Sequence, residues 1–111
     1  MYIVVPKVTE VSEVYEALVA AGARVALVVC EEGRLIGVCT QGDIIRLKSR
    51  IGHSSVVTMM NVNFIYATNS ESRESLVRRV VEGNLTVLPV LNPDGTLLEV
   101  VTPWKLLEQS L

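Results

Sequence analysis

Residues 25 to 43 decide the fold of this chain, and they read VALVVCEEGRLIGVCTQGD. Two short apolar runs, Val25 to Cys30 and Leu35 to Cys39, flank Glu31-Glu32-Gly33, a turn that carries the glycine a tight hairpin requires. Both runs are apolar at nearly every position, which indicates strands covered on both faces. Thr40 then opens a pattern typical of a helix start. The stretch therefore predicts a β-hairpin that leads directly into a helix.

A second copy of this pattern begins 62 residues later and reads VLPVLNPDGTLLEVVTPWK at residues 87 to 105. The copies align without a gap, and the alignment continues upstream through an amphipathic helix and a short extended segment. Gly22 in the first copy and Gly83-Asn84 in the second follow the helix where a C-terminal cap is expected. Aligned pairs include Tyr2 with Phe64, Val14 with Leu76, Leu18 with Val80, Gly33 with Gly95 and Thr40 with Thr102.

Each copy predicts a unit with the order β-α-β-β-α. We expect the first unit at residues 1–49, a polar connector at 50–63 and the second unit at 64–111. A unit of about 48 residues buries too little surface to be stable alone. The predicted fold class is therefore α+β, one pseudo-symmetric domain with two small three-stranded sheets packed together and helices on the outer faces. The closing helices are expected to face the core through Ile44, Ile45 and Leu47, and through Leu106 and Leu107.

Composition and charge exclude several classes of protein. The chain has 111 residues, of which 50% are hydrophobic and 5% aromatic, and its net charge is −2. Such a chain is not disordered, and it lacks the basic clusters that bind duplex nucleic acid or anionic membranes. The uncharged stretch from Ile51 to Ser70 holds too many polar residues for a transmembrane helix. The first six residues lack the basic leader of a signal peptide, so we expect a cytoplasmic protein.

The cysteines and the histidine predict neither a metal site nor a catalytic one. Cys30 lies beside the hairpin turn and Cys39 near the far end of the second strand, too distant for a disulfide, so both are expected to be free, partly buried thiols. His53 falls in the polar connector, and no other cysteine or histidine is spaced to complete a zinc site. No group of titratable residues is arranged for acid–base or nucleophilic chemistry, so we expect no enzyme.

The order, spacing and repetition of these elements resemble a tandem pair of cystathionine-β-synthase (CBS) domains, the arrangement called a Bateman module. The resemblance covers essentially the whole chain. Its most specific parts are residues 26 to 43, Met60-Asn61, Leu88-Pro89-Val90 and Asp94-Gly95. It implies a non-catalytic regulatory module that binds AMP, ADP, ATP or S-adenosylmethionine, requires no cofactor, forms a homodimer and modulates an attached or partner protein.

The run from Gly37 to Asp43 is the part of the resemblance that concerns the ligand. It passes from a strand end to a helix start, where free N–H groups and the helix dipole favour a phosphate. The resemblance implies that the Thr40 hydroxyl contacts phosphate or ribose and that the Asp43 carboxylate accepts hydrogen bonds from the ribose hydroxyls. Thr-x-x-Asp is also close to a helix-capping box, so a purely structural role stays open for Thr40.

The second copy keeps the threonine, as Thr102, but has Lys105 in place of Asp43 and Glu99 in place of Gly37. This asymmetry predicts one competent site and one degenerate site, the latter formed with Val4, Val5 and Pro6. In the competent site, Tyr66 either stacks on the base or belongs to the core, and Arg24 either contacts phosphate or is solvated. The resemblance implies ligand-binding residues from both units: Arg24, Val38, Thr40, Gln41 and Asp43 from the first, and Tyr66, Ala67, Thr68, Thr86 and Leu88 from the second.

A second function stays open beside nucleotide sensing. Glu99 and Lys105 indicate that one site has decayed, and if both sites had decayed the chain would be a structural dimerisation module. A weaker resemblance, carried by Thr40-Gln41-Gly42-Asp43 and Glu71-Ser72-Arg73-Glu74, is to CBS pairs attached to sugar-phosphate nucleotidyltransferases, of which the chain would be a fragment.

Overall fold

The structure is a computed structural model that describes residues 2–105, apart from the side chains of residues 48–51. It divides into two compact units, Met1–Phe64 and Ile65–Leu111, which are called the first and second unit below. Leu106 and Leu107, predicted to face the core, lie outside the described residues. Within the described part of the chain, no helix is both long enough and apolar enough to cross a membrane.

The first unit contains β1 (Tyr2–Pro6), α1 (Val11–Ala21), β2 (Val25–Val29), β3 (Leu35–Thr40) and α2 (Gln41–Ile51). Its sheet has the order β1-β2-β3, in which β1 runs parallel and β3 antiparallel to β2. The predicted hairpin and the helix that follows it are therefore confirmed.

The core of the first unit follows the apolar spacing of the sequence. One face of α1 is fully buried through Val11, Val14 and Leu18, and it meets apolar residues of β2. Ile44 of α2 is buried as predicted, but the prediction for Ile45 is wrong because its side chain is 60% exposed. Neighbouring residues on a helix point about 100° apart, so a helix that buries Ile44 turns Ile45 aside.

The second unit repeats this topology with β4 (Ala67–Thr68), α3 (Arg73–Glu82), β5 (Leu88–Leu91) and β6 (Leu97–Val101). Its sheet has the order β4-β5-β6, again with one parallel and one antiparallel pair, and residues 103–105 begin a further helix. The predicted fold class, α+β with two small three-stranded sheets and helices, is confirmed.

Three predicted turns depend on left-handed backbone. Gly22 ends α1 with φ 63°, and Gly33 and Gly95 occupy the two hairpin turns with φ 82° and 89°. After α3 the left-handed residue is Asn84, with φ 51°, rather than the preceding Gly83. The cap predicted over Gly83-Asn84 therefore forms at its second residue.

The residues expected to form the polar connector fold back against the first unit, and we call residues 54–61 the return segment. A 3₁₀ helix at Val56–Thr58 is capped by the Ser55 hydroxyl, which accepts a hydrogen bond from Val57 N. Val56 belongs to the core cluster of the first unit. Asn61 bridges to Val38 of β3 through two backbone hydrogen bonds of 2.7 and 2.9 Å. The return segment thus covers the outer edge of β3.

A substitution at Val56 measures how much the return segment contributes to the stability of the protein. Val56→Ala removes two methyl groups from a fully buried position, so we expect the free energy of unfolding to fall by about 2 kcal/mol. Val57→Ala is the matched control because Val57 is 43% exposed, and we expect a change within about 0.5 kcal/mol. Urea denaturation followed by circular dichroism measures both. Equal losses from the two variants would contradict the assignment of Val56 to the core.

Candidate functional site

The start of α2 is a complete capping box. Thr40 Oγ1 accepts a hydrogen bond from Asp43 N at 3.2 Å, and Asp43 Oδ2 accepts one from Thr40 N at 3.4 Å. Each side chain thus satisfies a backbone donor that the first turn of a helix leaves without an intrahelical partner. The capping interpretation of Thr40 is confirmed.

The Asp43 carboxylate has a further partner that the sequence did not predict. Arg46 Nη2 donates to Asp43 Oδ1 at 2.5 Å, and the two side chains are 74% and 38% exposed. The spacing of three residues on a helix was the available signal. An exposed ion pair contributes at most about 1 kcal/mol, so Arg46 is easily displaced. The carboxylate oxygens retain lone pairs for other donors.

The amide groups expected to be free at this helix start are partly engaged. Gln41 N donates to the carbonyl of Arg24 at 2.8 Å, and Asp43 N donates to Thr40 as described above. For these two amides the prediction of free N–H groups is wrong. The Arg24 carbonyl, just before β2, accepts from Gln41, and the Thr40 hydroxyl accepts from Asp43. The Arg24 side chain is exposed, and Thr40 pairs with Val25 across the sheet.

Gly37 and Val38 contact the return segment. A Cβ on Gly37 would lie 2.5 Å from Met60 Cγ and would overlap its sulfur, so only glycine leaves room for the Met60 side chain. Val38 is the residue hydrogen-bonded to Asn61. The predicted ligand motif and the Met60-Asn61 part of the connector are therefore in direct contact, which the sequence did not predict.

The five candidate residues of the second unit lie along the β4 segment and the start of β5. Ala67 and Leu88 are completely buried in the core of this unit, whereas Tyr66, Thr68 and Thr86 are exposed. Thr68 N donates to Glu71 Oε2 at 2.9 Å. The structure therefore brings Arg24, Thr40, Gln41 and Asp43 together at the start of α2, with Val38 two residues upstream in β3. In the second unit it brings Ala67 and Leu88 together in the core.

Glu99 and Lys105, which replace Gly37 and Asp43 in the second copy, form an ion pair with each other. Lys105 Nζ lies 3.0 Å from Glu99 Oε1, and Arg73 Nη1 lies 3.4 Å from the same oxygen. The hydrogen bond from Lys105 and the positive charges nearby hold the pKa of Glu99 below its usual value. Thr102 Oγ1 accepts from Lys105 N at 3.0 Å, so threonine caps the helix start in both copies.

Both cysteines are free, as predicted. Cys39 is buried in β3, and burial, followed by the nearby Asp43 carboxylate, raises the pKa of its thiol to about 11. Cys30 is partly exposed. Among the described residues no three or more His, Cys, Asp or Glu side chains lie together as a metal site would require, and His53 lies on the surface, 3.7 Å from Glu10.

With this geometry established, comparison with known proteins identifies the family. Residues 2–50 match the CBS domain family. A CBS domain pair/ACT domain protein from Thermotoga maritima has the same fold, with a TM-score of 0.76, 20% identity and coverage of 98% of this chain and 88% of that one. Residues 2–50 therefore form a CBS domain, and the chain as a whole has the fold of a CBS domain pair.

Relatives with higher sequence identity are magnesium transport proteins. The magnesium transporter MgtE of Thermus thermophilus is 35% identical over 75 residues, which make up 68% of this chain and 16% of the transporter. The cytosolic domain of the Mg²⁺ channel MgtE, crystallised with ATP, is 30% identical with a TM-score of 0.75 over 97% of this chain. This chain spans 44% of that domain structure, so it corresponds to only a part of these relatives.

The contact between Gly37 and Met60 yields a stability prediction. Gly37→Ala should lower the free energy of unfolding by about 1–3 kcal/mol, because the new methyl group displaces Met60. Gly42→Ala is the control, since its Cβ would approach nothing closer than Thr40 Oγ1 at 4.0 Å. Alanine favours the first turn of α2, so this variant should gain up to about 1 kcal/mol. Urea denaturation measures the free energy of unfolding of both variants. If Gly37→Ala is as stable as the wild type, position 37 does not require glycine.

The two thiols should differ sharply in reactivity. At pH 8 the Cys39 thiol stays protonated and buried, whereas Cys30 is accessible to an aromatic disulfide reagent. We expect one thiol per chain to react in the native protein and two after denaturation. Cys30→Ser should abolish the native reaction, and Cys39→Ser should leave it unchanged. Rapid reaction of both thiols in the native state would show that Cys39 is not protected.

Proposed function

We propose that this chain is a regulatory module that binds one adenosine nucleotide, with ATP as the preferred ligand, and thereby modulates an attached or partner protein. The observation that carries the proposal is the 30% identity, over 97% of this chain, to a cytosolic domain crystallised with ATP. The helix start at Thr40 and Asp43 supports it, because it combines an accessible carboxylate with a hydroxyl at the N-terminus of a helix.

Thr40 is able to cap the helix and contact a ligand at the same time. Its hydroxyl oxygen accepts from Asp43 N, and a hydroxyl group also carries one proton to donate. That proton is directed to a phosphate or ribose oxygen in our proposal. Asp43 accepts hydrogen bonds from the two ribose hydroxyls after its exposed partner Arg46 moves aside. The two interpretations of Thr40 are therefore compatible.

The remaining contacts of the proposed site follow the CBS resemblance. The backbone of Tyr66, Ala67 and Thr68 reads the edge of the adenine, and Thr86 and Leu88 adjoin the base. Arg24 adjoins a phosphate, and Val38 and Gln41 complete the part of the site that the first unit contributes. Support for these roles comes from the sequence motif and from the exposure of Tyr66, Thr68 and Thr86 within the second unit.

We propose a single nucleotide per chain. The position equivalent to Asp43 is Lys105, whose ammonium group is already paired with Glu99. An ammonium group has no acceptor for the ribose hydroxyls. Glu99 is itself paired with Lys105 and Arg73, so an ion-paired cluster stands where the first unit has Gly37.

Regulation requires that the nucleotide binds one arrangement of the protein more tightly than another. We propose that the chain acts on an attached or partner protein, as a homodimer and in the cytoplasm. The supporting observation is that the relative crystallised with ATP is the cytosolic domain of a Mg²⁺ channel.

A structural dimerisation module is the second candidate function. It is favoured by the fact that capping and the ion pair with Arg46 account for both Thr40 and Asp43 without any ligand. The two candidates differ in one measurable property, the affinity for adenosine nucleotides.

Nucleotide binding is tested by thermal melting and calorimetry with ATP, ADP, AMP and S-adenosylmethionine. A ligand at about one hundred times its dissociation constant should stabilise the protein by about 2.7 kcal/mol, which raises the melting temperature by several degrees. Asp43→Asn should weaken ATP at least about tenfold, because the amide is a poorer acceptor for the diol. Arg46→Gln is the control that removes the ion pair and keeps the carboxylate, and it should bind ATP as tightly as the wild type.

Two results would contradict the proposal. If none of the four compounds shifts the melting temperature or releases heat, the nucleotide proposal is wrong and the structural dimerisation module is the remaining candidate function. If ATP binds but Asp43→Asn binds it equally well, the nucleotide site lies elsewhere in the chain.

A further inference from the structure

The segment that leads into the second unit is held by the sheet at two residues only. In β1 all five residues from Tyr2 to Pro6 pair with β2, whereas β4 pairs with β5 only at Ala67 and Thr68. Continuing the parallel register would place Tyr66 opposite Pro89, whose nitrogen carries no proton. The ladder loses a donor at this position, which explains why β4 is shorter than β1.

An ion pair holds the backbone groups of this segment that face away from β5. Arg79 of α3 donates from Nη2 to the carbonyl of Tyr66 at 2.9 Å and from Nη1 to both carboxylate oxygens of Glu71, at 2.9 and 2.8 Å. Glu71 in turn accepts from Thr68 N at 2.9 Å and from Ser75 Oγ at 3.2 Å. The side chains of Arg79 and Glu71 are only 35% and 25% exposed. Together they hold both ends of the segment from Tyr66 to Thr68.

This ion pair exists in one copy of the repeat. In the first unit the aligned positions are Thr9 for Glu71 and Ala17 for Arg79, which form no ion pair, and Val4 for Tyr66 lies within the longer strand β1. Under the proposed function, the segment from Tyr66 to Thr68 serves the site that contains Asp43. The segment with Val4 serves the site that lacks the carboxylate. The ion pair therefore accompanies the competent site.

We propose that Glu71 and Arg79 are positioning residues that fix the backbone of Tyr66 to Thr68 for reading the adenine base, and thereby determine base specificity. The proposal rests on the nucleotide site put forward above. A carbonyl oxygen has two lone pairs, so Tyr66 O accepts the exocyclic amine of adenine beside Arg79. Guanine has a carbonyl oxygen at that position and a donor at N1. A fixed backbone that suits adenine consequently leaves guanine with unpaired polar groups.

Fixing the segment before the ligand arrives reduces the entropy lost on binding, because fewer backbone conformations must be frozen. The interaction is charged at neutral pH, since the hydrogen bond from Thr68 and then that from Arg79 lower the pKa of Glu71. A charge-assisted network of this kind holds a loop more firmly than neutral hydrogen bonds do.

Arg79→Lys tests the proposal, because a single ammonium group does not reproduce the fork that reaches both Glu71 and Tyr66. We expect the dissociation constant for ATP to rise about tenfold and that for GTP to stay unchanged, so that discrimination between the bases falls about tenfold. Arg78→Lys is the matched control on the same helix, since Arg78 pairs with the exposed Glu74. It should alter neither constant by more than about twofold.

A second pair of variants covers the case in which Arg79→Lys does not fold. Glu71→Gln removes the charge from the same interaction and should also lower base discrimination, while Glu74→Gln serves as its control. Hydrogen exchange of the nucleotide-free protein reports the segment directly. Exchange over residues 64–69 should be faster in Arg79→Lys and Glu71→Gln than in the two control variants.

The failures of the two proposals are distinguishable. If ATP binds in a manner that depends on Asp43 and Arg79→Lys keeps the base discrimination of the wild type, only the positioning role is overturned. Parallel losses of ATP and GTP affinity would also overturn it, because they indicate a general structural effect. If the wild type binds no nucleotide, both proposals fall.

Discussion

The contact between the return segment and β3 is the constraint on which the first unit depends. β3 is an edge strand, and an uncovered edge exposes backbone groups that pair with other chains. Asn61 occupies that edge through Val38, and the Met60 side chain lies over Gly37. The same strand ends at Thr40, where the capping box begins α2. Packing of a segment that looked like a linker therefore defines the position of the candidate ligand motif.

The two copies of the repeat differ where their surroundings differ, and each difference has a local partner. Glycine at position 37 accommodates Met60, whereas the matching Glu99 pairs with Lys105 and Arg73. In the second unit Pro89 shortens the parallel ladder, and Arg79 and Glu71 hold backbone groups that face away from β5. Internal duplication has thus preserved the topology while the polar interactions of the two copies have diverged.

Sequence patterns predicted the two hairpins and their turns correctly because these depend on periodicity and on residues close in the chain. The interpretation of Ile45 failed because apolar character was taken for burial, while the rotation of α2 favours Ile44. Val56 was missed because it is one apolar residue in a polar stretch, and its partners in the core belong to distant elements such as α1. The partners of Asp43 and Tyr66, which are Arg46 and Arg79, were missed as well.

The sequence by itself determined the repeat, the order of elements in each copy and the resemblance to a CBS domain pair. These follow from the spacing of apolar and turn residues along the chain. It also marked Thr40 and Asp43 as the start of a helix. Only the tertiary structure decided why position 37 is glycine, why β4 is short and how Arg79 and Glu71 hold the segment from Tyr66 to Thr68. These features arise from contacts between residues that are far apart in the chain or that involve backbone atoms, and no pattern of side-chain types records such contacts.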